Sequence, residues 1–355
     1  MHVSEHPHVR VSSIAVAVSN NWIPIEESAC VRGGGTLNVE KFKGMTGIEG
    51  RWISNPKQTT GDLCFAAAER LLEERNVDRS AIGVLVMVTQ TPDYFGPSTA
   101  SVLHHRLKLG QSCMAFDVNQ GCAGFEYGLN LASAILDTSQ TAKALVLCGD
   151  TFAKSFSHKG DDYENASNSA KFLFGDAGAA ALLEKDEQAK GLRVVTCTDG
   201  NGFRTICNPY HAYRHPDRQI HHVMNDVDVF TFATTKAPEM IKAYMNMQGT
   251  TAGDYDALVL HQANLFIMKQ IAKRSGFTRD QLAVSINQFA NTSSASIPTA
   301  IVNLYGDDLH TESKRLLLCG FGVGLTWSVC EIEIPSSAVI PLVHTDAYFD
   351  DGFED

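Results

Sequence analysis

The sequence predicts an α/β fold whose strands are mainly parallel, and two observations support this. Short apolar segments with strand character alternate with stretches that carry apolar residues at helical spacing. The same kinds of segment recur in the same order in the second half of the chain. Alternating strands and helices favour a parallel sheet, because each helix serves as the crossover between neighbouring strands. The recurrence indicates that this unit is duplicated.

The repeat rests on three pairs of segments. Residues 143–149 (KALVLCG) match residues 314–320 (KRLLLCG), and residues 82–88 (IGVLVMV) match residues 255–260 (YDALVL). The third pair consists of apolar strands predicted to end in Asn-Gln, at Asn119-Gln120 and Asn287-Gln288. Chance similarity between Leu- and Val-rich strands would explain one pair. Three pairs in one order favour duplication.

Helices are predicted between these strands, at residues 63–75, 125–136, 266–275 and 298–305. The duplication divides the chain into an N-terminal half at residues 1–183 and a C-terminal half at residues 184–336. Residues 337–355 are acidic and are predicted to form a mobile tail.

The composition is that of a globular protein with an ample core, since 44% of the 355 residues are hydrophobic and 19% are charged. A net charge of −11 argues against nucleic acid as a partner, because phosphate binding needs a concentrated basic face. No apolar run approaches the roughly 20 residues of a membrane helix, and no secretory signal is visible. We therefore expect no membrane association and a cytoplasmic location.

The nine cysteines include no Cys-x-x-Cys pair, which argues against a zinc knuckle or a disulfide framework. Cys148, Cys319 and Cys330 lie in apolar strands, as reduced core thiols do. The histidines between positions 211 and 222 follow no standard metal-ligand spacing. We predict no metal site, and we interpret this loop and the polar insertion at 160–169 as segments near the mouth of the site.

Cys122 is the candidate nucleophile. A short buried strand is predicted at residues 113–118 and a helix at residues 125–136, so Cys122 lies near a helix N-terminus. Free N–H groups and the helix dipole there favour thiolate over thiol, and the same N–H groups can hold an oxyanion. Most such cysteines are simply small buried residues. The motif alone leaves both interpretations open.

His261 and Asn291 occupy comparable places in the second half. His261 ends an apolar strand, where a histidine is usually a hydrogen-bonded structural residue. Asn291 alone is typical of a turn before the helix that begins near Pro298. If the halves pack about a pseudo-dyad, equivalent strand ends converge, and these two side chains meet Cys122 where α/β folds bind ligands.

Taken together, these motifs resemble the thiolase-like condensing enzymes, specifically the β-ketoacyl-acyl-carrier-protein synthase III branch. The matching segments are residues 121–125 (GCAGF), 261–264 (HQAN) and 291–293 (NTS), with further matches at 91–94, 97–100, 174–179 and 320–327. The likeness runs from about residue 11 to residue 334. It implies two pseudo-dyad-related βαβαβαββ halves that form a five-layered α-β-α-β-α sandwich.

The resemblance also implies a chemistry. Cys122 would accept an acyl group from a thioester, and His261 and Asn291 would stabilise the enolate formed when a malonyl thioester loses carbon dioxide. The backbone N–H groups of Cys122 and Val323 would form the oxyanion hole. No metal or redox cofactor is implied. The implied partners are an acyl carrier protein and a second copy of the chain in a homodimer.

The sequence differs from the family pattern at positions that bind the substrate. The family usually has an aromatic residue before the proline of the entry loop, where this chain has Gly96. A missing ring opens roughly a hundred Å³, so we expect an acyl group longer or bulkier than acetyl unless Phe95 refills the space. Phe42 and Met45 stand where acetyl-primed members have a Trp and an Arg for coenzyme A. The donor is therefore carrier-bound, or a coenzyme A thioester held differently.

Carrier docking in relatives uses a basic helix after His-Gln-Ala-Asn, and the candidates here are Lys269, Lys273 and Arg274. A basic stripe of this kind is more often a solvated helix face. Two other functions remain open: transfer of the Cys122 acyl group to an alcohol or amine, and a non-catalytic role in a heterodimeric synthase.

Overall fold

A computed structural model describes residues 1–31, 38–155, 172–209, 214, 223–308 and 311–353. The strands are β1 His2–His6, β2 Val9–Val18, β3 Trp22–Pro24, β4 Gly50–Trp52, β5 Ile82–Val88, β6 Met114–Val118, β7 Lys143–Asp150, β8 Ala177–Lys185, β9 Leu192–Thr198, β10 Ile206–Cys207, β11 Val223–Met224, β12 Ala257–Leu260, β13 Ser313–Gly322, β14 Thr326–Pro335 and β15 Val343–His344. The α-helices are α1 Ile25–Val31, α2 Val39–Thr46, α3 Thr60–Glu74, α4 Thr99–Arg106, α5 Gly124–Thr138, α6 Phe152–Ser155, α7 Asp226–Gln248, α8 Leu265–Ser275, α9 Ile286–Phe289 and α10 Ser296–Tyr305.

Two large sheets have matching topologies. The first has the order β15-β2-β8-β7-β5-β6, and the second has the order β1-β9-β14-β13-β12. In both, an antiparallel run (β2-β8-β7 and β9-β14-β13) is followed by a parallel strand, β5 or β12. The register also matches, because the parallel pairs end with Val88 opposite Cys148 and Leu260 opposite Cys319. This equivalence is what a duplicated chain predicts.

The third repeated segment differs from the prediction. Asn119 and Gln120 directly follow β6, but Asn287 and Gln288 lie within α9. The counterpart of β6 is reduced to one parallel bridge between Leu258 and Leu282. The predicted second strand ending in Asn-Gln is therefore wrong, since the chain turns into a short helix after a single bridge.

The helices and sheets form five layers, as the resemblance implied. Side chains of α5 and α10 pack between the two sheets, in the same core as inward residues of β5 and β13. Helices α3 and α4 cover the outer face of the first sheet, and α7 and α8 cover the outer face of the second. The central helices therefore bury both faces, while each outer helix buries one.

β6 is an edge strand, which corrects the prediction of a buried one. It pairs with β5 on one side, and its side chains are half-buried or, at Met114, exposed. Within the described chain its other edge carries no strand. Unpaired strand edges of this kind are templates for pairing with another chain.

The predicted mobile tail instead packs against the first half over residues 337–353. β15 pairs with β2, and the Gln58 side chain donates to the carbonyls of Thr345 and Ala347. The Arg106 guanidinium lies over the Phe349 ring, 4.8 Å from the ring centre. At the other terminus, β1 joins the second sheet. The boundaries at residues 183 and 336 stay predictions.

Among the described residues, no helix combines the length and apolar character needed to cross a bilayer. The eight cysteines whose side chains are described are free thiols, and Cys148, Cys319 and Cys330 are buried as predicted. The 160–169 insertion and most of the histidine-containing loop lie outside the described residues.

Candidate active site

Cys122 lies in the turn between β6 and α5, two residues before the helix begins. The turn packs against the end of β13. A Cβ placed on Gly322 would lie 2.6 Å from the Cys122 Cβ and 2.7 Å from its Sγ. Only a glycine at position 322 therefore leaves room for the sulfur, because real Cβ atoms do not approach other atoms so closely.

The protonation state of Cys122 differs from the expectation. Burial raises the pKa of its thiol to about 12, although the backbone N–H of Val323 donates toward the sulfur and opposes the shift. Cys122 is half-buried on the cavity, and desolvation of the charged form there outweighs the helix N-terminus. Cys122 is therefore a thiol at neutral pH.

His261 follows β12 directly and is almost fully buried. Its Nδ1 lies 2.7 Å from the Ser296 Oγ, and its ring meets the Phe321 ring edge to face at 5.4 Å. Burial lowers the pKa of His261 to about 3, against an opposing backbone hydrogen bond with Ser293. The imidazole is therefore neutral and fixed in orientation.

Asn291 is held by both its backbone and its side chain. Its N–H donates to the Leu173 carbonyl, and its own carbonyl accepts from the Gly175 N–H, each at 3.0 Å. The side-chain Oδ1 accepts from the Ser293 N–H at 2.9 Å. Since Oδ1 is occupied, the amide NH₂ remains the group that can donate to a ligand. Ala290, directly before Asn291, has φ +55° and ψ −155°, a conformation that favours glycine.

One cavity brings the three predicted residues together. It has a volume of about 630 Å³, and Cys122, His261 and Asn291 all line it. Val323 lines it as well. Much of the remaining wall is apolar, formed by Phe42, Phe152, Leu173, Phe174, Ile206, Met224, Phe230, Phe232, Ile267 and Phe321. The walls therefore suit an apolar acyl chain or its linker arm.

The residues predicted at the entrance divide into two groups. Phe42 lines the cavity, but it is only 9% exposed and meets Phe172 edge to face, so it packs as a core residue. Phe95 is 86% exposed, and neither it nor Gly96 lines the cavity. Within one chain Phe95 therefore does not refill the space left by the missing ring.

The predicted docking residues lie on α8, whose first residues line the cavity mouth. Lys269 and Lys273 are exposed. The Arg274 Nη1 donates to the Thr234 carbonyl of α7 at 2.6 Å, which ties the two outer helices together. Exposed Phe266 lies at the rim and stacks on Phe230 at 5.8 Å.

Asp150, the last residue of β7, does not line the cavity but holds the loop of Gln90, which does, and the sequence analysis missed it. Its Oδ1 accepts from the backbone N–H groups of Gln90 and Thr91 and from the hydroxyls of Thr89 and Thr91, and its Oδ2 accepts from Ser294 of the second half. Burial nevertheless raises its pKa. The sequence offered one indication, a single Asp at the end of the apolar strand that is equivalent to β13. Its partners come from remote segments that no sequence spacing reveals.

Comparisons with known proteins agree with this geometry. Residues 116–200 match the family model of 3-oxoacyl-[acyl-carrier-protein] synthase III, and residues 245–334 match the model of its C-terminal region. The β-ketoacyl-[acyl-carrier-protein] synthase III of Clostridium perfringens is 30% identical over 302 residues, which cover 83% of this chain and 90% of that protein.

Solved structures give the same result. The 3-oxoacyl-(acyl-carrier protein) synthase of Burkholderia xenovorans LB400 aligns with a TM-score of 0.89 and 28% identity, covering 97% of this chain and 99% of that one. The priming β-ketosynthase of the R1128 polyketide pathway aligns with a TM-score of 0.83 and 26% identity, covering 94% and 98%. With its cysteine, histidine and asparagine on one cavity, this chain belongs to the β-ketoacyl-[acyl-carrier-protein] synthase III family.

Proposed function

We propose that this protein is a decarboxylating condensing enzyme, which joins an acyl group to the two-carbon unit of a malonyl thioester. The observation that carries the proposal is that Cys122, His261 and Asn291 line one apolar cavity. The product is a 3-oxoacyl thioester, for fatty-acid or specialised acyl-chain synthesis. Membership of the family supports this reaction type.

In the first step the Cys122 sulfur attacks the donor thioester carbonyl. The thiol proton passes to the departing thiolate, so the step needs no other acid or base overall. Negative charge on the carbonyl oxygen develops beside the N–H groups of Cys122 and Val323. Val323 already donates toward the sulfur in the free protein, which places this donor near the reacting atoms.

In the second step the malonyl thioester loses carbon dioxide, and the resulting enolate attacks the Cys122 acyl carbon. The enolate oxygen needs donors, and Asn291 offers its NH₂ because its Oδ1 is occupied by Ser293. A His261 N–H is the second donor. Neutral His261 suits this role because its low pKa keeps a full positive charge out of the apolar cavity. No metal or redox cofactor takes part.

The test combines acyl donors with malonyl-acyl-carrier protein and detects the product by mass spectrometry. We expect a 3-oxoacyl-carrier product from the native protein and none from Cys122→Ala. Acyl loading without malonyl-dependent product would favour transfer to an alcohol or amine, and an unmodified Cys122 would favour a non-catalytic subunit. Unchanged turnover after chelation by EDTA is also expected.

The proposed donor is longer or bulkier than acetyl. A side chain at position 96 meets nothing within 4 Å in one chain, and the loop that carries it is exposed. In a homodimer formed through the open edge of β6, this loop would face the partner's acyl pocket. We expect octanoyl thioesters to outcompete acetyl thioesters, and Gly96→Phe to reverse that preference. A clear acetyl preference in the native protein would contradict the proposal.

The proposed docking surface for an acyl carrier protein is the exposed face of α8 that carries Lys269 and Lys273. Acidic carriers need local basic residues on a chain of net charge −11. The double variant Lys269→Glu/Lys273→Glu should raise the KM for carrier-bound substrates about tenfold or more, a change of roughly 1.4 kcal/mol. The KM for pantetheine thioesters should be unchanged. Arg274→Ala should instead lower stability, because Arg274 holds Thr234.

A further inference from the structure

A buried carboxylic acid, Glu126, lies directly behind the Cys122 turn. It belongs to the first turn of α5 and is completely shielded from solvent. Neither carboxyl oxygen has a hydrogen bond of good geometry within the described residues. Buried polar groups are nearly always paired, so an unpaired carboxyl in the centre of the molecule calls for an explanation.

Glu126 lies between the two backbone segments that carry the N–H donors of the proposed oxyanion hole, the Cys122 turn and the end of β13. A Cβ on Gly320 of β13 would lie 2.7 Å from the Glu126 Oε2 and 2.6 Å from the Ala123 Cα, so carboxyl, strand and turn meet at this point. Gly320 stands three residues before Val323, and Ala123 directly follows Cys122. The carboxyl therefore packs between the turn that carries the Cys122 N–H and the strand that leads to the Val323 N–H.

Three polar groups approach the carboxyl: the backbone N–H groups of Glu126 itself and of Gly320, and the Ser328 hydroxyl. The Ser328 hydroxyl also lies 3.5 Å from the Ala123 carbonyl. Ser328 thus bridges Glu126 and the Cys122 turn. A neutral carboxyl can donate to such a hydroxyl, whereas a carboxylate can only accept.

We propose that the proton on Glu126 makes it a positioning residue, which holds the Cys122 turn at a fixed distance from the β13 turn that carries Val323. This inference rests on the proposed function. The protonated carboxyl packs as a neutral hydrogen-bonding group. Its ionisation would place an uncompensated charge between the two turns and separate them.

The charges around Glu126 agree with this role. Burial raises the pKa of Glu126 to about 8, against opposition from its own backbone N–H, the Gly320 N–H and the Ser328 hydroxyl, and among the described residues no cation shifts it. The titratable groups that face it are thiols and one phenol: Cys148 on β7, Cys319 on β13, Cys330 on β14 and Tyr127 on α5. Burial raises the pKa of each of them, so they stay neutral when Glu126 ionises.

The reacting residues do not titrate in the same window. The pKa of Cys122 is raised to about 12 and that of His261 is lowered to about 3. A loss of condensation activity between pH 7 and 9 that Glu126→Gln removes would therefore report Glu126. Its folded pKa lies above the ordinary glutamate value of 4.5, so folding takes up a proton and stability falls as pH rises from that value to about 8.

The test compares pH profiles of the native protein, Glu126→Gln and Ser328→Ala. Glu126→Gln keeps the shape and a donor, so it should stay within about threefold of native kcat at pH 6.5 and extend the alkaline limb by at least one pH unit. Its melting temperature should also fall less between pH 5 and 8. Ser328→Ala should lower kcat while Cys122 still alkylates at the native rate. The matched control is Glu333→Gln, on an exposed position of β14, which should change neither profile.

The outcomes separate this inference from the proposed function. If Cys122 never accepts an acyl group, the proposed function fails whatever Glu126 does. If condensation proceeds but Glu126→Gln and native pH–kcat profiles superimpose, the positioning role is wrong. A changed melting profile with an unchanged kcat profile would leave Glu126 as a stability residue only, which also overturns the inference.

Discussion

The ends of the two equivalent sheets differ in chemistry although their strand orders agree. The first half ends β7 in Asp150, whose carboxylate accepts five hydrogen bonds from loops of both halves. The second half places His261 after β12, and its equivalent position after β5 is Thr89, whose hydroxyl donates to Asp150. The first half thus supplies the sulfur and a rigid frame, and the second half supplies donors. Under the proposed mechanism, a duplicated scaffold would thus take its nucleophile from one half and the side-chain donors for the enolate from the other.

The largest expected effect separates these two roles. Cys122→Ala should lower condensation by about 10⁴-fold or more and abolish acyl loading, because the nucleophile is lost. His261→Ala and Asn291→Ala should each lower condensation by about 10² to 10³-fold yet still accept an acyl group. Intact-protein mass reports loading, and product assays report condensation. Loss of loading in the Asn291 variant would contradict the division of roles.

The next effect concerns the sulfur itself. With its pKa raised to about 12, Cys122 should react with iodoacetamide at pH 7 about 10³-fold more slowly than an exposed thiol, for which the pKa is about 8.5. The rate should rise about tenfold per pH unit up to pH 10, since the thiolate fraction rises in that way. Peptide mass spectrometry quantifies labelling at Cys122. A plateau below pH 9 would mean that the helix N-terminus outweighs burial.

Contact between the halves is tested by Gly322→Ala. The added methyl would lie within 2.7 Å of both side-chain atoms of Cys122, so kcat/KM should fall about 10²-fold as the turn shifts. Gly253→Ala is the matched control, because its nearest neighbour would be 3.7 Å away. Steady-state kinetics of the two variants decide the matter. Native activity in Gly322→Ala would show that the two turns are not in fixed contact.

The frame of the first half is tested by Asp150→Asn. Replacing one carboxylate oxygen by NH₂ leaves N–H or O–H donors facing each other, so the free energy of unfolding should fall by about 2–3 kcal/mol. Urea denaturation measures this loss. Asp199→Asn, which caps an exposed turn at Asn201, serves as the control. Equal stability of the Asp150 variant and the native protein would show that the hydrogen bonds to Asp150 do not stabilise the fold.

The smallest effect concerns Ala290, beside Asn291. Its positive φ is a strained conformation for alanine, so Ala290→Gly should raise the free energy of unfolding by about 1 kcal/mol. Ala300→Gly, in the middle of α10, should instead lower it by a similar amount. Thermal and urea unfolding would both report the change. A destabilised Ala290→Gly would show that the backbone there is relaxed.

Local pattern explains what the sequence predicted and what it missed. The alternation of apolar segments located β5, β7, β12 and β13, and motif order placed Cys122, His261 and Asn291 on one cavity. The predictions of a strand ending at Asn287-Gln288 and of a mobile tail were wrong. The single bridge at Leu282 and the docking of the tail on the first half both depend on tertiary partners. Asp150 and Glu126 were missed for a related reason. Their importance comes from burial and from neighbours distant in the chain, which a single sequence does not encode in any spacing.

The most direct test of the proposed condensation measures how much carbon dioxide is released for each acyl group discharged from Cys122. Acyl-enzyme is isolated, mixed with a malonyl thioester, and followed through a single turnover by gas release and intact-protein mass. The account predicts one carbon dioxide for each acyl group lost, with a 3-oxoacyl thioester as product. Discharge without carbon dioxide, or a Cys122 that never carries an acyl group, would contradict it.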